Sequence, residues 1–140
     1  MTFAHVMDRN LHKGNFIVHG IDIVDTSRFG NLVNKLASNH LHLYFTTKEL
    51  NSAGEDIRRI EKLASRFAIK EAVMKALKIG WGNGISFVDV EILHNDLGAP
   101  KVQLHRLIHN LAKEQNISHW LVSASHAGSI TIASAIGLSD

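Results

Sequence analysis

The chain has 140 residues, 45% of them hydrophobic, with 15 lysines and arginines against 13 acids and a formal charge of +2. That length fits one domain, which can bury roughly two-thirds of its unfolded surface without staples; the absence of cysteine excludes disulfides and thiolate metal sites and suits a reducing cytoplasm. So small a charge excess does not mark a nucleic-acid binder, and no run approaches the ~20 apolar residues of a membrane span.

Met1 to Asn15 carries Asp8, Arg9, His12 and Lys13 and lacks the apolar stretch of a signal peptide. It reads as an extension ahead of a domain over 16–140. The β-branched run from Phe16 to Val24 predicts a strand, and Asp25-Thr26-Ser27 offers capping side chains for a helix over 28–38. Phe29, Leu32, Val33 and Leu36 have the spacing of that helix's inward face. Residues 40–45 are apolar but short and left unassigned. Thr46 to Leu50 has the cap-plus-acid pattern of a helix start, and 51–55 reads as a turn.

The longest helix is expected over 57–78, with Ile60, Ala64, Phe67, Glu71 and Met74 on one stripe. Gly80, Gly82 and Gly84 end it in a flexible loop. Ser86 to Leu93 alternates as a strand does. Asn95 to Gly98 reads as a turn, 101–103 as a short strand, and Leu104, Leu107, Ile108 and Leu111 as a helix. Two final strands, 119–125 and 129–136, flank the hairpin signal His126-Ala127-Gly128. The order is α+β with an antiparallel C-terminal component.

Two acids stand out. Asp22 lies inside an apolar strand, where alternation turns it away from Ile21 and Ile23 and alongside Val18 and Val24. Burying a carboxylate is costly without a cation or donors, unless it sits at an exposed strand end or caps the next helix. Glu71 shares a helix face with Phe67 and Lys75, four residues to either side, and reads as a surface Glu–Lys pair or as a partly buried ligand. Two hard oxygens from separate elements suit magnesium held together with a phosphate-bearing substrate. Lys75 and Lys78 add positive charge, and the glycine loop would let backbone amides approach a phosphate.

Other pairs are weaker. Ser125 and His126 are adjacent in a strand, so they point to opposite faces and do not form a hydrolase pair. His105 and His109 share a helix face but lack a third metal ligand.

Four segments together resemble one family. Gly20-Ile21-Asp22-Ile23-Val24-Asp25 with Ser27-Arg28-Phe29, the run Arg66 to Leu77, Gly98-Ala99-Pro100-Lys101 and Val122-Ser123-Ala124-Ser125-His126 are similar, in order, to the motifs of holo-acyl-carrier-protein synthases. The likeness spans about 17–136. Three parts depart from it: residues 1–15 are extra, residues 41–56 have no distinctive match, and Ile79-Gly80-Trp81-Gly82-Asn83-Gly84-Ile85 stands where the family often has glycine-threonine-glycine-isoleucine.

The resemblance implies a phosphopantetheinyl transferase fold, an antiparallel sheet packed on a long helix in a single small domain. It implies a homotrimer with coenzyme A in clefts between subunits, Asp22 and Glu71 as magnesium ligands, and Lys75 on phosphate. Gly80, Gly82, Gly84, Pro100, Ser125 and His126 would contact coenzyme A. A serine of an acyl carrier protein would attack the β-phosphorus, its proton passing to Glu71 or to a water. Arg28 and Lys35, on the solvent side of the first helix, would meet the acidic carrier. A non-catalytic carrier-binding module and a small basic nucleic-acid binder are the other classes; Asp22, Glu71 and Lys75 argue against the first, and the lack of interleaved aromatics on a basic face against the second.

Overall fold

The computed structural model describes residues 17–140; the expected extension over 1–15 lies outside them. Strand β1 (Ile17–Asp25) leads into helix α1 (Thr26–Lys35), the short helices α2 (Ser38–Leu41) and α3 (Thr47–Ala53), and the long α4 (Arg59–Leu77). After a 3₁₀ turn (Phe87–Asp89) come β2 (Val90–His94), β3 (Pro100–Leu104), α5 (Arg106–Glu114), β4 (His119–Ala127) and β5 (Ile130–Leu138). No described helix is long and apolar enough to cross a membrane.

The last two strands form the expected hairpin, closed at Gly128-Ser129 with Gly128 at φ 58°. Strand β5 also pairs antiparallel with β1, giving a three-stranded sheet in the order β1-β5-β4. Strands β2 and β3 form a separate antiparallel pair. The α+β expectation holds.

Helix α4 packs across the inner face of the larger sheet. Ala64, Ala68, Ala72 and Ala76, four residues apart, are all at most 2% exposed and make a flat stripe. Strand β1 crosses that stripe at Gly20, where an added Cβ would lie 1.9 Å from the Ala72 carbonyl oxygen. Only glycine allows this approach, and it brings Asp22, two residues on, over the same helix. Val18, Gly20, Asp22 and Val24 turn inward, as alternation predicts, while Ile17, Ile21 and Ile23 face out.

Local chemistry sets most boundaries. Asp25 caps α1 by accepting from Arg28 N at 3.0 Å. The helix runs over 26–35 rather than 28–38, and of its predicted inward face Val33 alone is buried; Leu32 and Leu36 stay exposed. Thr46 and Glu49 form the capping box of α3, which continues to Ala53 through what reads as a turn in the sequence. Helix α4 ends before the glycines, at Lys78, which is itself left-handed at φ 57°.

The strand expected over 86–93 needs correction. Residues 87–89 form a 3₁₀ turn, and only 90–94 pair with β3. Ser86 N donates to Asp89 Oδ2 at 3.0 Å, and Arg106 grips both Asp89 oxygens, Nε at 2.8 Å and Nη2 at 2.7 Å. A carboxylate so held turns the chain where apolar–polar alternation suggested an extended run.

A buried ion pair ties α3, α4 and β2 together. Lys70 Nζ donates to Glu49 Oε1 at 2.9 Å and to the carbonyls of Phe87 and Val90 at 2.8 and 2.7 Å. Glu49 Oε2 accepts from Ile92 N at 3.2 Å. Both side chains are fully buried; burial pushes the Lys70 ammonium down from its ordinary value, and Glu49 pulls it back up.

Candidate functional site: an acid pair and a basic cleft

A cleft of about 570 Å³ opens between β1, α1 and residues 41–45. Asp22 and Glu71 both line it, with Arg28, Lys35, Leu32, Leu36, Tyr44 and Phe67. Lys75 Nζ donates to Asp22 Oδ1 at 2.8 Å. Strand β1 thus contributes one acid, and two successive turns of α4 contribute the other acid and the lysine.

Burial pushes the Glu71 carboxyl above its ordinary value, and the neighbouring Asp22 charge adds to this; a hydrogen bond from Trp81 and the Lys75 charge act against it. The Trp81 indole Nε1 donates to Glu71 Oε1 at 3.3 Å. Trp81 is held by a stack on Phe87, ring centroids 3.9 Å apart, and Phe87 stacks in turn on Phe67 at 5.5 Å.

The acid pair meets the requirements of a magnesium ion. Two hard carboxylates face one cleft, and burial, with the Asp22 charge beside it, raises the proton affinity of Glu71. Among the described residues no three histidine, cysteine or acidic side chains converge on one point. That donor set suits an ion that takes one or two carboxylates and completes its shell with water and phosphate oxygens.

A second cleft, about 960 Å³, is lined by Arg58, Lys62 and Arg66 with His94, Gly98, Pro100, Ser123 and His126. Arg66 is 4% exposed. Its Nη2 donates to Ser52 Oγ at 3.0 Å, while its buried Nε has no hydrogen-bond partner among the described residues. Burial, then the charges of Arg66 and Lys62, hold His94 below its ordinary value. The unpartnered buried guanidinium N–H of Arg66 borders a cleft lined by two further cations, Arg58 and Lys62, and one acid, Glu61, whose Oε2 lies 3.8 Å from His126 Nε2; the excess of positive charge suits an anion.

The structure therefore gathers Asp22, Glu71, Arg28 and Lys35 into one cleft, with Lys75 paired to Asp22, and Pro100 and His126 into the other. Ser125 is paired with Ile132 and shares the outer face of the sheet with Ser123; of the two serines only Ser123 lines the basic cleft. Gly80, Gly82 and Gly84 line neither cleft. His105 is engaged by Glu91 Oε1 at 3.0 Å, and His109 is exposed.

Sequence reasoning missed Arg66 and Trp81. Arg66 and Lys70 stand at the i, i+4 spacing of a buried face that continues through Val73, Met74 and Leu77, and charged residues at such positions are the available signal. Trp81 had a weaker one, a single large side chain in a loop otherwise of small residues.

Comparison with known proteins shows the family. The profile of the 4′-phosphopantetheinyl transferase superfamily matches residues 19–135. The Geobacter sulfurreducens protein named holo-[acyl-carrier-protein] synthase is 37% identical over 114 residues, which are 81% of this chain and 90% of that protein. The crystal structure of the holo-[acyl-carrier-protein] synthase from Neisseria meningitidis superposes with a TM-score of 0.76 at 29% identity, covering 86% of this chain and 96% of that one. The Helicobacter pylori synthase, solved in complex with coenzyme A, gives a TM-score of 0.74 at 28% identity over 85% of this chain and 98% of its own. The chain belongs to the 4′-phosphopantetheinyl transferase superfamily, within its holo-[acyl-carrier-protein] synthase family.

Proposed function

We propose that this enzyme transfers 4′-phosphopantetheine from coenzyme A to a serine of an apo-acyl carrier protein, in the cytoplasm and with magnesium. The observation that carries the reading is the placement of Asp22 and Glu71 in a single cleft with Lys75 paired to Asp22, all three from the family's motifs. The serine Oγ attacks the β-phosphorus of the coenzyme A pyrophosphate. A new P–O bond forms, the phosphoanhydride bond breaks, and adenosine 3′,5′-bisphosphate leaves. Magnesium, held by Asp22 and Glu71, would neutralise the charge that develops on the pyrophosphate oxygens. Lys75, half exposed, is free to turn its ammonium from Asp22 to a phosphate. The raised proton affinity of Glu71 supports it, directly or through a water, as acceptor of the seryl proton.

The basic cleft fits a phosphate of coenzyme A, with Arg66 as its buried anchor and Gly98, Pro100 and His126 beside it. Arg66 and Glu71 are five residues apart on α4, about 140° around its axis, so the two clefts open on different sides of one helix. Sites shared between subunits would unite the acid pair of one chain with the basic cleft of the next. A surface for that assembly exists: Ile17, Ile21, Ile23, Leu121, Ile130 and Ile132 are exposed on the described strands of the larger sheet. An apolar patch on this scale marks an association surface, and we assign it to a homotrimer. Arg28 and Lys35, exposed beside Leu32 and Leu36, form a basic and apolar surface suited to an acidic carrier helix.

Incubation with apo-carrier, coenzyme A and magnesium should raise the carrier's mass by one phosphopantetheine. An unchanged carrier would sink the enzymatic reading and leave a binding module. Light scattering should give three chains per particle; a fully active monomer would exclude the shared site.

A further inference from the structure

The loop after α4 holds one large side chain. Gly80, Gly82, Asn83 and Gly84 are exposed, whereas Trp81 is half-buried. Its indole lies nearly parallel to the Phe87 ring, 19° between planes, and Phe87 lies nearly parallel to Phe67 at 14°. Phe67 sits one turn before Glu71 on α4. The Phe87 carbonyl accepts from Lys70 Nζ, the residue next to Glu71. The indole is thus referenced twice to the turn of helix that carries Glu71, once through rings and once through a buried ammonium.

That anchoring matters because of what Trp81 touches. A glutamate side chain turns about three bonds, and a half-buried one pays little to leave any single arrangement. An indole N–H can only donate and does not change its protonation. Donating to Oε1 at 3.3 Å, it engages one carboxylate oxygen, which leaves Oε2 for a cation. Partners behind a metal ligand act in this way: they orient it and raise affinity without touching the metal.

We propose that Trp81 is a positioning residue for the cation site, orienting the Glu71 carboxylate through its indole N–H. The inference rests on the reading of Asp22 and Glu71 as magnesium ligands. The flanking glycines let the loop fold back so that a bulky ring can reach the helix: Gly82 and Gly84 take φ of 95° and 92°.

The substitution Trp81→Phe keeps a ring for Phe87 and removes only the donor. The test is Mn2+ binding followed by electron paramagnetic resonance, on the intact protein with coenzyme A present and corrected for Mn2+ held by coenzyme A alone. Trp81→Phe should weaken Mn2+ binding roughly tenfold. The magnesium concentration for half-maximal transfer should rise by the same factor, with the KM for carrier unchanged. The chain has two tryptophans, so Trp120→Phe leaves Trp81 as sole emitter. Magnesium should alter its emission, and Glu71→Gln added to that background should abolish the response. Equal Mn2+ affinity in wild type and Trp81→Phe, or emission blind to magnesium while Mn2+ binds, overturns the inference alone. A wild-type protein that binds no Mn2+ overturns the metal reading and this inference with it.

Discussion

Lys75 Nζ donates to Asp22 Oδ1 at 2.8 Å, joining residues 53 positions apart in sequence. Before substrate arrives, the lysine balances a carboxylate that also feels Glu71. On the proposed reading, removing either acid would leave the pyrophosphate without its cation. Asp22→Ala and Glu71→Ala should each reduce transfer roughly 100-fold or more, since charge stabilisation by a bound cation is worth several kcal/mol. Circular dichroism of both should match the wild type. Near-normal mass-shift activity at low magnesium in either variant would refute the assignment.

Arg28 sits at the start of α1, where the helix dipole does not favour a cation. An external carboxylate on the proposed carrier would give it a reason to be there. Arg28→Glu should raise the KM for carrier about tenfold at low ionic strength, with the KM for coenzyme A little changed, because rim charges act on encounter and are screened by salt. Steady-state kinetics at two salt concentrations decide the matter. An unchanged carrier KM at low salt would move the docking surface elsewhere.

The Lys70–Glu49 pair predicts a non-additive pattern. Lys70→Met leaves the Glu49 carboxylate buried without its cation, and Glu49→Leu does the reverse; breaking a buried pair from one side costs about 3–5 kcal/mol. The double variant should lose clearly less than the sum of the two, measured by urea unfolding. Strict additivity would mean that the two charges do not depend on each other.

Acid sensitivity follows from Asp89. Burial alone would raise its carboxyl, but the hydrogen bonds from Arg106 and Ser86 win and hold it below the ordinary range. Glu91 is likewise held low by Thr46 and His105 against its burial. A depressed folded value means stability is fully present above the unfolded value, about 4, and is lost as pH falls through the folded one. Melting temperature should therefore drop as pH falls below about 4. Asp89→Asn should lower it at pH 7 and flatten that acid limb; a limb as steep as the wild type's would assign the acid loss to other groups.

The readable parts of this fold were those decided by neighbours in sequence. Asp25 and Thr46 announce their helices because a cap and its amide are three residues apart. Strand alternation placed Asp22 inward, and helical spacing put Glu71 and Lys75 on one face. What stayed hidden depended on distant partners. Glu49 looks like an ordinary first-turn acid until Lys70 arrives 21 residues later. Residues 86–89 read as strand because their alternation is real, and the deciding Arg106 lies 17 residues beyond Asp89. Leu32 and Leu36 follow core spacing yet line a cleft, since period alone does not say what covers an apolar stripe.

The register of β1 on β5 pairs Asp22 with Ala133 and Ile17 with Leu138. A slip by one residue would turn the acid to the outer face and the isoleucines inward. The strand that carries Asp22 is made well before its partner. Until residues 130–138 leave the ribosome, β1 has no strand to pair with and Asp22 no fixed place over the helix. The two acids are thus brought together only once residues 130–138 have been made, with the slow closure expected of such long-range pairing, and a chain clipped before β5 would hold Asp22 in no fixed register over the helix.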